Sequence, residues 1–223
     1  MPAQLIQIVD VPDLVERVHR SLLEAISSGE LPPGTRLMQE DLARRLAVSR
    51  QPVLQALGLL RRDGLVMDAP GRGVVVAPLD AAMMRKTYQV RGALDALAAR
   101  LAAHSKNKID PALIREGRAA ARSGDVQAMI EADLAFHRAI YEASGNELIA
   151  QSAGQHWQHL RRAMGAVLQA APQRQSLWDE HQAIAKAIAA GDGELAAELS
   201  EQHSSRASAN LSARLNEQLQ RNG

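Results

Sequence analysis

Residues 37 to 76 read LMQEDLARRLAVSRQPVLQALGLLRRDGLVMDAPGRGVVV. Leu42, Ala43 and Leu46 recur at steps of three and four, so Glu40 to Leu46 is expected to form a short helix with one apolar side. Arg44 and Arg45 lie on its outer side. Ala47-Val48-Ser49 makes a tight link, and Ser49 offers a hydroxyl to the unpaired backbone N–H groups that open the next helix. Pro52 falls in that first turn, where proline is tolerated because those amides have no helical partner. The second helix therefore starts near Arg50. Val53, Ala56, Leu57 and Leu60 form its inward stripe, leaving Arg50, Gln51, Gln55 and part of Leu54 outward near the N-terminal end. Two helices this short and this closely linked suit a helix-turn-helix, whose second helix presents its N-terminal residues to the DNA major groove.

Working outward, Gly64 suits a left-handed helix cap. Leu65-Val66-Met67 and Val74-Val75-Val76 read as two strands of a hairpin wing around Ala69-Pro70-Gly71-Arg72-Gly73. Glycine lets a backbone approach closely, so Arg72, beside Gly73, is placed to meet a phosphate or enter the minor groove. Upstream, Asp13 to Ser28 predicts an amphipathic helix with Leu14, Val15, Val18, Leu22, Ala25 and Ile26 on one side. Gly29 and Pro32-Pro33-Gly34 end it. Residues 1 to 10 are expected to be a loose arm.

From Gly29 the run GELPPGTRLMQEDLARRLAVSRQPVLQALGLLRRDGLVMDAPGRGVVV resembles the winged helix-turn-helix of the GntR superfamily. That family has a proline-glycine after its first helix, a VSR-x-PV start to the recognition helix and a wing ending in glycine. Gln51 stands where the family usually has threonine, Leu54 where it has arginine and Gln55 where it has glutamate. Met38 replaces the usual capping serine. The resemblance carries the fold and the groove placement, and leaves the operator sequence open.

The 223 residues, with 46% hydrophobic and five aromatic side chains, favour closely packed helices rich in alanine and leucine. No apolar run is long enough to span a bilayer and no secretory signal precedes the first helix, so a cytoplasmic protein is expected. Having no cysteine excludes disulfides and thiolate metal sites. The net charge of +1 does not mark a nucleic-acid binder, and residues 1 to 78 balance nine arginines against nine acids. Between Arg36 and Arg72, however, seven arginines face four acids. A local excess suffices where the phosphate backbone passes, although each arginine alone also suits a solvated surface.

After Pro78 the pattern is helical throughout. Breaks at Asp110-Pro111, Ser123-Gly124-Asp125, Ser144-Gly145-Asn146, Pro172 and Gly191-Asp192-Gly193 divide it into six helices, near 80–104, 110–122, 125–144, 146–169, 173–190 and 192–219. The expected fold is mainly α, with a winged domain over 1–78 and an all-helical bundle over 79–223. Asp133 and His137 share a helix face at a spacing of four. His181 heads the stripe of Ile184 and Ile188, and His203 continues that of Leu195 and Leu199. One inward histidine is usually a hydrogen-bonded core residue. Three with an aspartate need partners that a shared cation would supply. Neutral imidazoles and a carboxylate suit a divalent ion, with zinc or nickel favoured and manganese or iron as alternatives.

The same positions resemble the FCD effector domain of FadR-like GntR regulators, through DLAFHRAIYEASGNELI, EHQAIAKAIAAGD and the helix carrying His203. Six helices are similar to the VanR-type branch. The resemblance implies a metal-anchored small carboxylate as effector. Arg91, near Asp95 where the family usually has glutamate, and Arg161 could pair with a second carboxylate, or each could salt-bridge an acid of the chain. Arg162 is expected to do only the latter. Trp178 either lines the pocket or belongs to the core. His104, His156 and His159 accompany no nucleophile pattern, and phosphate loops, HExxH helices and serine elbows are absent. The function expected is a homodimeric, metabolite-responsive transcription regulator, a repressor, on a pseudo-palindromic DNA operator. Alternatives are a metal-dependent hydrolase or lyase with a fused winged domain, and a structural adaptor.

Overall fold

The computed structural model describes residues 14–71, 73–105, 107–168 and 175–221. The readings of the arm over residues 1 to 10, of the wing-tip Arg72 and of the break at Pro172 lie outside the described residues. The chain divides after Pro78 into two compact units, with Ser27–Gly29 grouped with the second.

The first unit runs α1 (Leu14–Ser28), β1 (Arg36–Leu37), α2 (Gln39–Arg45), α3 (Arg50–Arg62), β2 (Val66–Asp68) and β3 (Val74–Val76). Its core joins Val18, Leu22 and Ile26 of α1 to Leu42 and Ala43 of α2 and to Val53, Ala56, Leu57 and Leu60 of α3. The recognition helix therefore buries the stripe read from its periodicity, while Leu54 is 47% exposed. Leu14 is also exposed, outside the α1 stripe. The sheet has the antiparallel order β1-β3-β2, with Leu37 opposite Val74 and Val66 opposite Val76. β1 was not legible in the sequence, because two residues carry no alternation. It forms because β3 pairs on both edges, and Val76 N–H continues the pairing to the Thr35 carbonyl at 2.9 Å.

Two local readings need correction. Ser49 takes the extended N-cap conformation (φ −70°, ψ 166°), but its side chain makes no capping bond. The hydroxyl is exposed, so solvent can partner it instead of the helix amides. Leu65 is buried but precedes β2, because its N–H is spent on the Leu60 carbonyl at 2.9 Å while that of Gly64 (φ +71°) reaches the Arg61 carbonyl at 3.0 Å. These two bonds close α3 in a Schellman arrangement and delay the strand by one residue.

The second unit holds six helices among the described residues: α4 (Ala81–His104), α5 (Pro111–Ser123), α6 (Val126–Ala143), α7 (Glu147–Leu168), α8 (Gln175–Ala190) and α9 (Gly193–Arg221). Asp80, Asp110 and Asp125 cap α4, α5 and α6 by accepting from the amides of Ala82, Ala112 and Gln127. α4 runs along α9. Towards its C-terminal end the buried face is alanine, with Ala98, Ala99, Ala102 and Ala103 at 0% exposure, and such small side chains permit close packing. A Cβ at Gly92 would lie 3.2 Å from the Cβ of Ser204. Among the described residues no helix is long and apolar enough to cross a membrane.

Ala47, in the link before α3, has φ +53° and is the one described non-glycine residue with positive φ. That conformation costs an L-residue about 1–2 kcal/mol, part of which glycine's greater unfolded freedom offsets. Ala47→Gly is therefore expected to raise stability by up to about 1 kcal/mol. The midpoint of urea unfolding should rise without a change in slope. A lower midpoint would show that contacts of the Ala47 methyl outweigh the strain.

Candidate metal centre

Helix α6 carries Asp133 and His137 one turn apart, α8 carries His181 and α9 carries His203. Packing these helices together brings one ligand atom of each residue to within 4.8 Å of the others. All four side chains are buried, His181 completely. The Nε2 of His181 lies 3.4 Å from Asp133 Oδ1 and 3.3 Å from the Nε2 of His203, and the Nε2 of His137 lies 4.0 Å from the same Asp133 oxygen. Asp133 Oδ1 and His137 Nε2 have no hydrogen-bond partner despite burial. Leaving such lone pairs both desolvated and unpaired is costly, and a shared cation removes the cost. Three imidazole nitrogens and a carboxylate oxygen are a donor set that divalent zinc or nickel accepts. The cluster could thus hold a metal.

The protonation states suit that role. Burial, followed by the Arg91 charge, pushes His137 below its ordinary pKa. Burial, followed by His203, pushes His181 well below. Both rings are held neutral, the form in which imidazole is a ligand.

Around the four ligands sits a second layer that the sequence reading largely missed. Glu180 Oε2 lies 2.9 Å from His203 Nδ1. Asp95 of α4 lies 3.7 Å from His137 Nδ1 and accepts hydrogen bonds from the Tyr141 hydroxyl and, at 3.1 Å, from Ser204 Oγ. Arg91, one turn before it, is 2% exposed, lies 3.2 Å from Asp95 through Nε, and places its Cζ 4.0 Å from the Trp157 ring centre. Burial, the largest single influence, would lower the Arg91 pKa, but Asp95 together with Tyr141, Tyr88 and Asp133 reverses it, and the guanidinium stays charged. Burial, the largest single influence, would raise the Asp95 pKa, but Arg91, His137 and the Tyr141 hydrogen bond together reverse it and hold the carboxylate ionised. The Nη2 of Arg91 is buried without a hydrogen-bond partner.

Trp178 belongs to the core at 2% exposure, with its ring 4.7 Å from that of His181. It sits where Gly117 of α5 has no side chain, since a Cβ there would meet the ring at 1.9 Å. Phe136 stacks on the His181 ring at 4.2 Å and lies 6.3 Å from Trp178. Arg161 donates to Glu131 at 2.5 Å, and Arg162 is buried at 6% exposure. His104 ends α4, and His156 and His159 lie on α7, apart from the cluster. Of this layer the sequence pointed to Arg91, Asp95 and Trp178, and a glycine inside a helix, as at Gly117, is a further sign of close packing. Glu180 and His203 are 23 residues apart, so no local spacing joins them.

In the first unit, Arg44, Arg45, Ser49, Arg50, Gln51 and Gln55 are exposed on α2 and at the start of α3. Arg44 pairs with Asp41 at 2.6 Å and Arg50 with Glu40 at 2.9 Å. Such exposed pairs are weak and readily exchanged for other anions. Gly73 (φ +96°) lets the wing pass close to β1, a Cβ there being 3.3 Å from the Leu37 carbonyl.

Residues 14–76 match the gntR family of bacterial regulatory proteins, and residues 86–206, more than half of the chain, match the FCD domain. The chain belongs to the GntR family and carries an FCD domain. LutR of Bacillus subtilis is 31% identical over 201 residues, covering 75% of this chain and 87% of LutR. An HTH-type regulator from an unstable DNA locus of Streptomyces ambofaciens is 30% identical over 184 residues, covering 80% and 77%. The structure of McbR/YncC from E. coli superposes with a TM-score of 0.77 at 23% identity, over 90% of this chain and 98% of that one, and so has the same fold. This GntR-family chain is a DNA-binding transcriptional regulator, which sets aside the hydrolase, lyase and adaptor readings.

Gly117→Ala should push Trp178 off its seat behind His181 and destabilise the second unit by about 1–3 kcal/mol, the usual cost of overpacking, measured by urea unfolding. Unchanged stability would show that the ring can move freely. A second expectation concerns pH. The unfolded histidines protonate near their ordinary pKa of about 6.5, while burial holds His137 and His181 below it. The unfolded state therefore binds more protons in acid. Stability of the metal-free protein should be full above about pH 6.5 and fall as pH drops below it. Unfolding midpoints of chelator-treated protein from neutral to mildly acid pH check this, and a flat profile would contradict it.

Proposed function

We propose that this regulator is a homodimeric repressor that senses a small carboxylate at a metal ion held by Asp133, His137, His181 and His203. The observation that carries the reading is the unpaired state of buried Asp133 Oδ1 and His137 Nε2 beside the buried, charged Arg91, whose Nη2 also lacks a hydrogen bond. Cation ligands and an anion receptor occupy one interior. A carboxylate would suit both, its charge matching the ion that Asp133, His137, His181 and His203 would hold and its oxygens suiting the Arg91 guanidinium. Zinc or nickel fits the donor set, with manganese or iron as alternatives. The ion supplies positive charge for the effector, while the side chains place it and exclude water. Arg161 and Trp178 shape the surroundings, through Glu131 and His181 respectively.

In this reading residues 79–223 bind effector and dimerise, and residues 1–78 read DNA in the cytoplasm. Met83, Val90 and Leu97 are exposed on α4 at intervals of seven residues, a seam suited to a second copy of the helix. A two-fold dimer sets two α3 helices on a pseudo-palindromic operator. There Arg50, Gln51 and Gln55 face base edges, and Arg44, Arg45, Ser49, Arg72 and Gly73 meet the backbone or minor groove. Carboxylate binding releases DNA by favouring one of two dimer arrangements, to the extent of its differential affinity for them.

The test is fluorescence anisotropy of a DNA fragment selected by the protein from random sequence, titrated with mono-, di- and hydroxycarboxylates. Wild type is expected to release DNA with at least one acid. A His137→Ala/His181→Ala variant should hold the same DNA, retain no metal and ignore the acid. A double variant that releases DNA normally overturns the mechanism.

A further inference from the structure

The three imidazoles of the cluster have three different sets of neighbours. The ring of His181 packs against Phe136, stacked at 4.2 Å, and against Trp178, edge-on at 4.7 Å, and its Nδ1 has no hydrogen-bond partner. The ring of His137 faces Asp95 at 3.7 Å, and that carboxylate also serves Arg91, Tyr141 and Ser204. His203 is different. Its Nδ1 lies 2.9 Å from Glu180 Oε2, and the other oxygen of Glu180 accepts from Arg206 Nη1 at 2.9 Å.

A neutral imidazole has one N–H and one lone pair, and an ionised carboxylate only accepts. Contact with Glu180 therefore puts the His203 proton on Nδ1 and the lone pair on Nε2. That Nε2 is the nitrogen 3.3 Å from His181 Nε2, facing the shared space. We propose that Glu180, which is not among the four ligands, is the positioning residue of the centre: it selects the His203 tautomer and locks the ring so that Nε2 is offered to the ion. The proposal rests on the metal-site reading above. Glu180 and His181 are consecutive on α8. One helix thus contributes a ligand and the residue that orients a second ligand across on α9. Arg206, 59% exposed, braces the carboxylate from the solvent side.

Outer carboxylates of this kind typically change metal affinity by about 10–100-fold when removed. A plain surface pair between α8 and α9 predicts something else, namely that losing Glu180 and losing Arg206 have equal effects and leave the metal untouched. The probe is Co²⁺ added to the full-length metal-free protein, with affinity read by competition against a chromophoric chelator and ligand geometry by visible absorption. Glu180→Ala is expected to weaken Co²⁺ binding about 10–100-fold and alter the spectrum. Glu180→Gln, which keeps an acceptor oxygen, should recover most of the affinity, and Arg206→Ala should stay within a few-fold of wild type. Glu180→Ala with wild-type affinity and spectrum, or Arg206→Ala with an equal loss, overturns the proposal and leaves the metal reading standing. Wild type that takes up no Co²⁺ overturns both. A check free of any variant is nitrogen NMR of the wild-type histidines. It is expected to show His203 protonated at Nδ1, and protonation at Nε2 instead overturns the assignment.

Discussion

A carboxylate and three imidazoles buried at one point constrain the whole helical unit. Each would be costly alone, because burial strips water from lone pairs that apolar neighbours cannot satisfy. Their mutual approach is possible because α6 delivers two polar side chains, and α8 and α9 one ligand each, to the same interior point within a largely apolar core. The alanine face of α4 then completes the enclosure, bringing Arg91 and Asp95 against the cluster as a charged pair at 2% and 3% exposure. Truncating one member of such a pair would strand the other, so the polar interior behaves as a unit.

That interior is layered. The ligand atoms face one another, and the opposite edges of two rings face carboxylates, Glu180 for His203 and Asp95 for His137. Behind His181 the support is aromatic, and it depends on the missing side chain of Gly117, which makes room for Trp178. Ligand orientation is thus divided between hydrogen bonding and packing. The guanidinium of Arg91, kept charged against its burial by Asp95 and the neighbouring Tyr141, Tyr88 and Asp133, carries the opposite electrostatic preference from the donor set. This pairing of opposite preferences is what the proposed sensing of an anion through a cation would require.

The winged unit works by different physics. Its core is conventional, and what matters is the surface that this core leaves outward. Val53, Ala56, Leu57 and Leu60 face inward, which turns Arg50, Gln51, Leu54 and Gln55 to solvent. Ion pairs with Glu40 and Asp41 neutralise Arg50 and Arg44, and their exposure keeps them exchangeable. Overall neutrality is therefore compatible with a locally basic reading face.

Periodicity and breakers were enough to read the winged helices, the wing strands to within a residue and all six bundle helices, because those signals are local. Asp133 with His137 was legible for the same reason, and His181 and His203 were legible as inward residues on their stripes. The pairing of α8 with α9 was not, so Glu180 went unnoticed, and neither was the two-residue β1, which exists only because β3 has a second edge. Whether Trp178 was wall or core, and whether Arg162 lay at the surface, likewise depended on neighbours distant in the chain. The sequence by itself determined the elements, their inward faces and the ligand types. Only the tertiary structure decided which side chains meet and which nitrogen of each ring faces the cluster, because those depend on helix packing that no local spacing encodes.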